Sequence, residues 1–276
     1  MKALDALDHS LHMIKCARVE TEPYKHIVID GIFPADFYLQ MLENFPDESL
    51  MPMSRPDVRQ LDFVPDPGVD RFIDGKLLID NNLKQSEPEK FAFWSDFRDA
   101  YFSQTFCQAF LDKFEGDFDE RDLKEFMPIG RIACDLKGAG LGPHRDRDDK
   151  ICSVLFYLGD RFDPDVAVPF GTMALKSRKP IERGSAHHGF ADFEVSKVLT
   201  YYPNRMACWA VSRGHTPNES FHAYHQSLDR SRRLIKFFVQ RKEDADVIRN
   251  DIANTKSSAT DWKKDVDSVG LDNPKH

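Results

Sequence analysis

His144 and Asp146 stand two residues apart in Leu141-Gly142-Pro143-His144-Arg145-Asp146. On extended backbone both side chains leave the same face, because strand side chains alternate. A neutral imidazole beside a carboxylate suits a divalent metal of intermediate softness, iron among them. The pair carries little weight alone. With 33 aspartates and ten histidines in 276 residues, about one His-x-Asp arises by chance, and the chain holds one. Its meaning depends on a third ligand and on something for the metal to act upon.

Ser220-Phe221-His222-Ala223-Tyr224-His225 supplies the third ligand, followed by Arg232-Arg233 ten and eleven residues after His222. His222 is preferred over His225 on its spacing to Arg232, and His225 stays open as a competitor. Two imidazoles and one carboxylate on one face of a metal leave three coordination positions for other ligands, as in non-haem Fe(II) oxygenases. An arginine deeper in the same cavity grips a carboxylate bidentately, and a 2-oxo acid supplies one. Neighbouring strand residues face opposite sides, so only one of Arg232 and Arg233 enters the pocket. Arg232 is preferred and Arg233 remains open. Arg131, at the start of an apolar run, is a further candidate contact for substrate or co-substrate. Asn81 and Asn82 beyond a proline-rich stretch, and His187 and His188 in a glycine-flanked loop, are candidates for the mouth.

These residues need a scaffold. Tyr24 to Asp30 reads as a first strand, and Pro34-Ala35-Asp36 opens a helix from Phe37 to Phe45. Residues 46–76 carry five prolines and two glycines and read as a long irregular segment. From Ser86 onward, Phe91, Trp94, Phe97, Tyr101, Phe106, Phe110 and Phe114 recur at helical spacing and read as core. After Met127-Pro128 the period shortens. About six strands follow, over 131–136, 151–158, 171–175, 193–202, 206–211 and 233–239. Helices first and short strands after point to an α+β fold whose second half is a sandwich or barrel. The expected organisation is one catalytic unit over 1–242, helix-rich to 126 and a jelly roll from about 127. A polar tail occupies 243–276.

Composition limits the classes. The chain is 41% hydrophobic and 30% charged, the balance of a globular protein with a sizeable core. A net charge of −8 argues against nucleic acid as the main partner. No apolar run approaches the roughly 20 residues that cross a bilayer. Acids occupy the first eight residues where a signal peptide needs an apolar stretch, so a cytoplasmic, non-membrane protein is expected. Five scattered cysteines form no CxxC and read as buried thiols rather than a disulfide framework. Oligomeric state is not legible.

Between residues 127 and 240 the sequence resembles the Fe(II)/2-oxoglutarate-dependent dioxygenases. The resemblance is carried by Gly142-Pro143-His144-Arg145-Asp146, the apolar strand ending Phe156-Tyr157-Leu158, and Gly171-Thr172. Pro203-Asn204-Arg205 and Ser220-Phe221-His222 followed by Arg232-Arg233 complete it. The lead-in Pro23-Tyr24-Lys25-His26 and Phe33-Pro34 is similar to that of small bacterial and fungal members. The resemblance implies a double-stranded β-helix binding iron through His144, Asp146 and His222, with Arg232 or Arg233 on the far carboxylate of 2-oxoglutarate. It implies O2 as oxidant, succinate and CO2 as co-products, ascorbate as a stimulant, and a small-molecule substrate such as an amino acid or a natural-product intermediate. Because Asp146 stands where halogenating relatives have a small residue, hydroxylation, desaturation or ring closure is implied rather than halogenation. The family's Arg-x-Ser is absent, since Leu234 stands at the serine's position. Two other readings remain: a cupin-type metalloenzyme that uses no 2-oxoglutarate, and a non-catalytic jelly-roll binding protein.

Overall fold

The computed structural model describes residues 1–64, 83–118, 125–147, 149–181, 188–211, 219–225 and 228–241. Eleven strands are described: β1 (His26–Asp30), β2 (Met53–Arg55), β3 (Val58–Val64), β4 (Phe126–Asp135), β5 (Gly140–His144), β6 (Lys150–Tyr157), β7 (Thr172–Ser177), β8 (Phe193–Leu199), β9 (Arg205–Ala210), β10 (His222–His225) and β11 (Arg232–Arg241). They form two antiparallel sheets, one ordered β1-β9-β6-β11-β4-β3-β2 and one ordered β5-β10-β7-β8. From β4 onward the chain passes back and forth between them, which is the winding of a double-stranded β-helix.

The centre of the larger sheet explains where the two interiors lie. β11 pairs with β4 on one side and β6 on the other. Alternation sends Ile235, Phe237 and Val239 to one face, where they join a core with Phe33, Phe37, Phe97, Tyr101, Phe106 and Phe110. Those aromatic residues come from α2 (Ala35–Glu43), α3 (Pro88–Tyr101), α4 (Gln104–Lys113) and the segment before α2, and α1 (Ala3–Cys16) adds Ala3, Ala6, Leu7 and Ile14 to the same core. The other face of β11, carrying Arg232, Leu234, Lys236, Phe238 and Gln240, looks between the two sheets. Both faces are covered, so the strand is buried almost throughout.

The aromatic run expected as helical core is helical core, in two pieces. The break falls at Phe102-Ser103, where the Ser103 hydroxyl accepts the Phe106 N–H at 3.3 Å and caps the second helix. Two expectations need correction. The stretch 46–76 is not wholly irregular: β2 and β3 form a hairpin that extends the larger sheet beside β4. Pro56 sits in its turn rather than within either strand, and Val58, Gln60 and Leu61 are buried. Among the described residues the jelly roll also has eight strands, β4 to β11, rather than about six. β5 was hidden by Gly140, Gly142 and Pro143, which have poor strand propensity, and β10 by its length of four residues. Four of the five cysteines are buried as expected, whereas Cys16, in the last turn of α1, is exposed. Among the described residues no helix is long and apolar enough to cross a membrane. Asn81, Asn82, His187 and the tail from 242 lie outside the described residues.

Candidate metal centre

His222 opens β10 directly across from His144, which closes β5. The two imidazoles lie 4.2 Å apart between centroids. Asp146 follows two residues beyond the strand end, and one ligand atom from each of the three residues falls within 4.8 Å of the others. All three are at most 8% exposed. Each histidine donates its Nδ1–H to a backbone carbonyl two residues earlier, His144 to Gly142 at 2.8 Å and His222 to Ser220 at 3.0 Å. That fixes the tautomer and leaves the Nε2 lone pairs for a ligand. Burial lowers the pKa of His222 against the pull of Asp146, which favours the neutral, ligating form.

The carboxylate is held on both oxygens. Lys150 Nζ donates to Oδ1 at 2.6 Å and the Ser153 hydroxyl to Oδ2 at 2.6 Å, with Oδ2 3.5 Å from His222 Nε2. Burial alone would raise its pKa, but the Lys150 ammonium beside it holds the carboxyl well below the usual range. Two neutral imidazoles and one ionised carboxylate, converging and buried, fit a divalent metal of the Fe(II) type.

A second polar group lies in the same interior. Arg232, 1% exposed, donates from Nη1 to Asp135 Oδ2 at 2.9 Å and from Nη2 to Thr172 Oγ1 at 3.0 Å. Thr172 Oγ1 also accepts the Tyr157 hydroxyl at 3.0 Å. Lys236 Nζ donates to the other oxygen of Asp135 at 3.1 Å. Burial opposes ionisation of Asp135, yet Lys236 and Arg232 bring its pKa below the ordinary value. Burial likewise lowers Lys236 to about 8, with Asp135 resisting. Arg233 faces the other way. It pairs with Glu48 at 3.0 Å, stacks 4.8 Å over the Phe45 ring and is 45% exposed.

Among the buried donors with no hydrogen-bond partner in the described residues are Tyr24 Oη, Trp209 Nε1 and Arg232 Nε. The Trp209 ring lies 4.7 Å from that of His222, tilted by 55°, and Tyr24 shares a buried cluster with Tyr157 and Trp209. Buried polar groups are nearly always satisfied, so three donors without an acceptor mark a place for an acceptor-rich guest. Arg232 is already used on its Nη1 edge, and its open Nε–H leaves the other edge for a carboxylate.

The remaining sequence candidates fall elsewhere. His225 lies across from Gly140 and outside the triad. His188 donates its N–H to the Pro143 carbonyl at 2.8 Å and packs its ring on Phe193 and Phe221. Arg131 is 7% exposed, with Nε 3.4 Å from Asp62 Oδ1 and its guanidinium 5.9 Å from the Phe238 ring. Tyr24, Asp135, Lys150, Ser153, Trp209 and Lys236 escaped sequence reading. Counting alternate residues from Arg131 along β4 and from Arg232 along β11 reaches Asp135 and Lys236; Lys150 and Ser153 stand three apart across a register shift in β6 and share no single parity.

No protein-family model and no curated protein sequence matches the chain. Solved structures do. A prolyl-4-hydroxylase from Pseudomonas putida is 11% identical, over 86% of this chain and 99% of that one, with a TM-score of 0.42. A viral collagen prolyl hydroxylase from Paramecium Bursaria Chlorella virus-1, in complex with 2OG, is 12% identical over 81% and 99%, with a TM-score of 0.44. HygX from Streptomyces hygroscopicus, with nickel and 2-oxoglutarate bound, is 12% identical over 85% and 87%, also at 0.44.

Proposed function

We propose that the chain is an Fe(II)- and 2-oxoglutarate-dependent oxygenase acting on a small molecule. One observation carries this: a buried His144–Asp146–His222 triad and a buried arginine with an open edge share one interior, with donors that lack acceptors among them. His144 and His222 would hold iron through Nε2 and Asp146 through a carboxylate oxygen. Arg232, supported by Thr172 and Tyr157, would hold the far carboxylate of 2-oxoglutarate. When bound, the metal and 2-oxoglutarate supply oxidation by O2, with succinate and CO2 as co-products.

The chain's own residues do the positioning. Lys150 and Ser153 keep Asp146 ionised and fixed in direction, and the Gly142 and Ser220 carbonyls orient the imidazoles. Asp135, itself bonded by Lys236, and Thr172 hold the two Nη groups of Arg232 and leave its Nε–H to offer. A cupin-type enzyme without a keto acid has no use for that arginine, which favours the 2-oxoglutarate reading. Asp146 fills the position a halide would need, so the outcome is hydroxylation, desaturation or ring closure. Arg131 is the proposed substrate contact, the substrate is an amino acid or a natural-product intermediate, and residues 1–242 act as one catalytic unit.

The test is succinate formation from 2-oxoglutarate with Fe(II), O2 and ascorbate. It is expected in the wild-type chain and lost in His144→Ala and Asp146→Ala. Metal binding with no 2-oxoglutarate dependence would point to the cupin-type enzyme, and no metal binding to a non-catalytic jelly roll.

A further inference from the structure

We infer that Tyr24, together with Trp209, belongs to the ligand pocket and donates to the metal-side end of the bound 2-oxo acid. The inference deepens the oxygenase reading and rests on it. Tyr24 comes from the lead-in to β1, outside the eight strands of the jelly roll. Its backbone is anchored there: Glu20 and His26 exchange both backbone hydrogen bonds at 2.8 and 2.9 Å, and His26 Nδ1 donates to the Tyr24 carbonyl at 2.8 Å.

The side chain runs inward and is 3% exposed. It belongs to one buried cluster with Tyr157, Ala207 and Trp209 of the larger sheet and Ala174 and Leu199 of the smaller one, which lies between the sheets. Its hydroxyl meets no acceptor among the described residues. Burial and the nearby Asp146 carboxylate both disfavour its ionisation, so it remains a neutral O–H donor. Trp209 offers only a donor, is 1% exposed, and lies against His222 with its Nε1–H unused.

The other hydroxyls of this interior are occupied. Tyr157 donates to Thr172 and Ser153 to Asp146. Tyr24 Oη and Trp209 Nε1, on the metal-triad side, and Arg232 Nε are left with protons to offer a guest. An anion with a carboxylate at each end satisfies both groups at once: Arg232 at the far end, Tyr24 and Trp209 at the near end.

The experiment is an anaerobic titration of the Fe(II)-loaded chain with 2-oxoglutarate, followed by the visible absorption of an iron–2-oxo acid chelate. It compares wild type, Tyr24→Phe and Trp209→Phe. Mn(II) affinity and thermal unfolding of the ligand-free chain are measured in parallel. Tyr24→Phe is expected to raise the 2-oxoglutarate Kd about tenfold. Its Mn(II) affinity and ligand-free unfolding temperature should not fall, because the lost hydroxyl bonded to nothing in the protein. Trp209→Phe should weaken 2-oxoglutarate in the same direction. Unchanged 2-oxoglutarate affinity in Tyr24→Phe overturns the inference, and so does a loss of ligand-free stability, which would show a structural partner for the hydroxyl. If the wild-type chain binds iron but gives no 2-oxoglutarate-dependent absorption, the oxygenase reading itself fails.

Discussion

The larger sheet separates two interiors built from opposite materials. Under the helices, Phe33, Phe37, Phe97, Tyr101, Phe106 and Phe156 pack ring on ring, and the one hydroxyl among them, on Tyr101, meets Ser10 Oγ at 2.9 Å. Between the sheets lie Asp135, Asp146, Lys236 and Arg232, with donors left unsatisfied. Burying charge costs several kcal/mol per ion unless partners repay it. The helix-side core gains from apolar burial without such costs. Apolar packing is thus concentrated on one face of the sheet and the candidate site on the other, and adjacent residues such as Arg232 and Arg233 belong to different halves.

Substitutions can separate the two. Asp146→Ala is expected to lower metal affinity by more than about 100-fold, since loss of a supporting group alone costs about 10–100-fold. Metal titration of the variant checks this, and unfolding should remain cooperative. Phe106→Ala, on the helix side, is expected to cost about 3–5 kcal/mol in chemical denaturation, while the molecules still folded bind 2-oxoglutarate normally. Arg232→Ala should raise the 2-oxoglutarate Kd by about 30- to 100-fold, the worth of about 2–3 kcal/mol of charge-assisted hydrogen bonding. It should leave iron binding intact. It would also leave Asp135 with Lys236 as its principal cation, so a fall in stability accompanies it.

Lys236 gives the comparison a pH dependence. Its pKa is lowered from 10.5 to about 8, so the folded chain binds fewer protons than the unfolded one between those values. Stability from this group therefore rises with pH across that window and is lost as pH falls through about 8. Co-substrate affinity should run the other way. Above pH 8 the interior loses a positive charge, and 2-oxoglutarate binding weakens. A Kd measured from pH 7 to 9.5 checks this, and Lys236→Met should flatten the profile. Arg233→Ala is the smallest change: its exposed pair with Glu48 is worth under about 1 kcal/mol, and 2-oxoglutarate affinity should not move.

Much of the site was legible because the chemistry is spaced along the chain. The His-x-Asp, a histidine near its end and an arginine ten residues later are visible without a fold. Strand parity says that Arg232 and Arg233 part company, but not which goes inward. That is decided by which face of β11 the helices cover. Asp135 and Lys236 look like solvent-facing charges until both faces of β4 and β11 are known to be covered. The hairpin 53–64 was hidden because prolines near a strand read like prolines within one. Tyr24 carried no signal at all: it is one tyrosine in the lead-in, and only the fold brings it beside Trp209.

The central claim is that the metal triad and Arg232 hold one ligand between them. Calorimetric binding of 2-oxoglutarate to the metal-loaded and metal-free chain, in wild type, Arg232→Ala and Arg233→Ala, tests it most directly. The expected result is tight binding only when metal and Arg232 are both present, with Arg233→Ala indistinguishable from wild type. Affinity unchanged in Arg232→Ala, or independent of the metal, would contradict it.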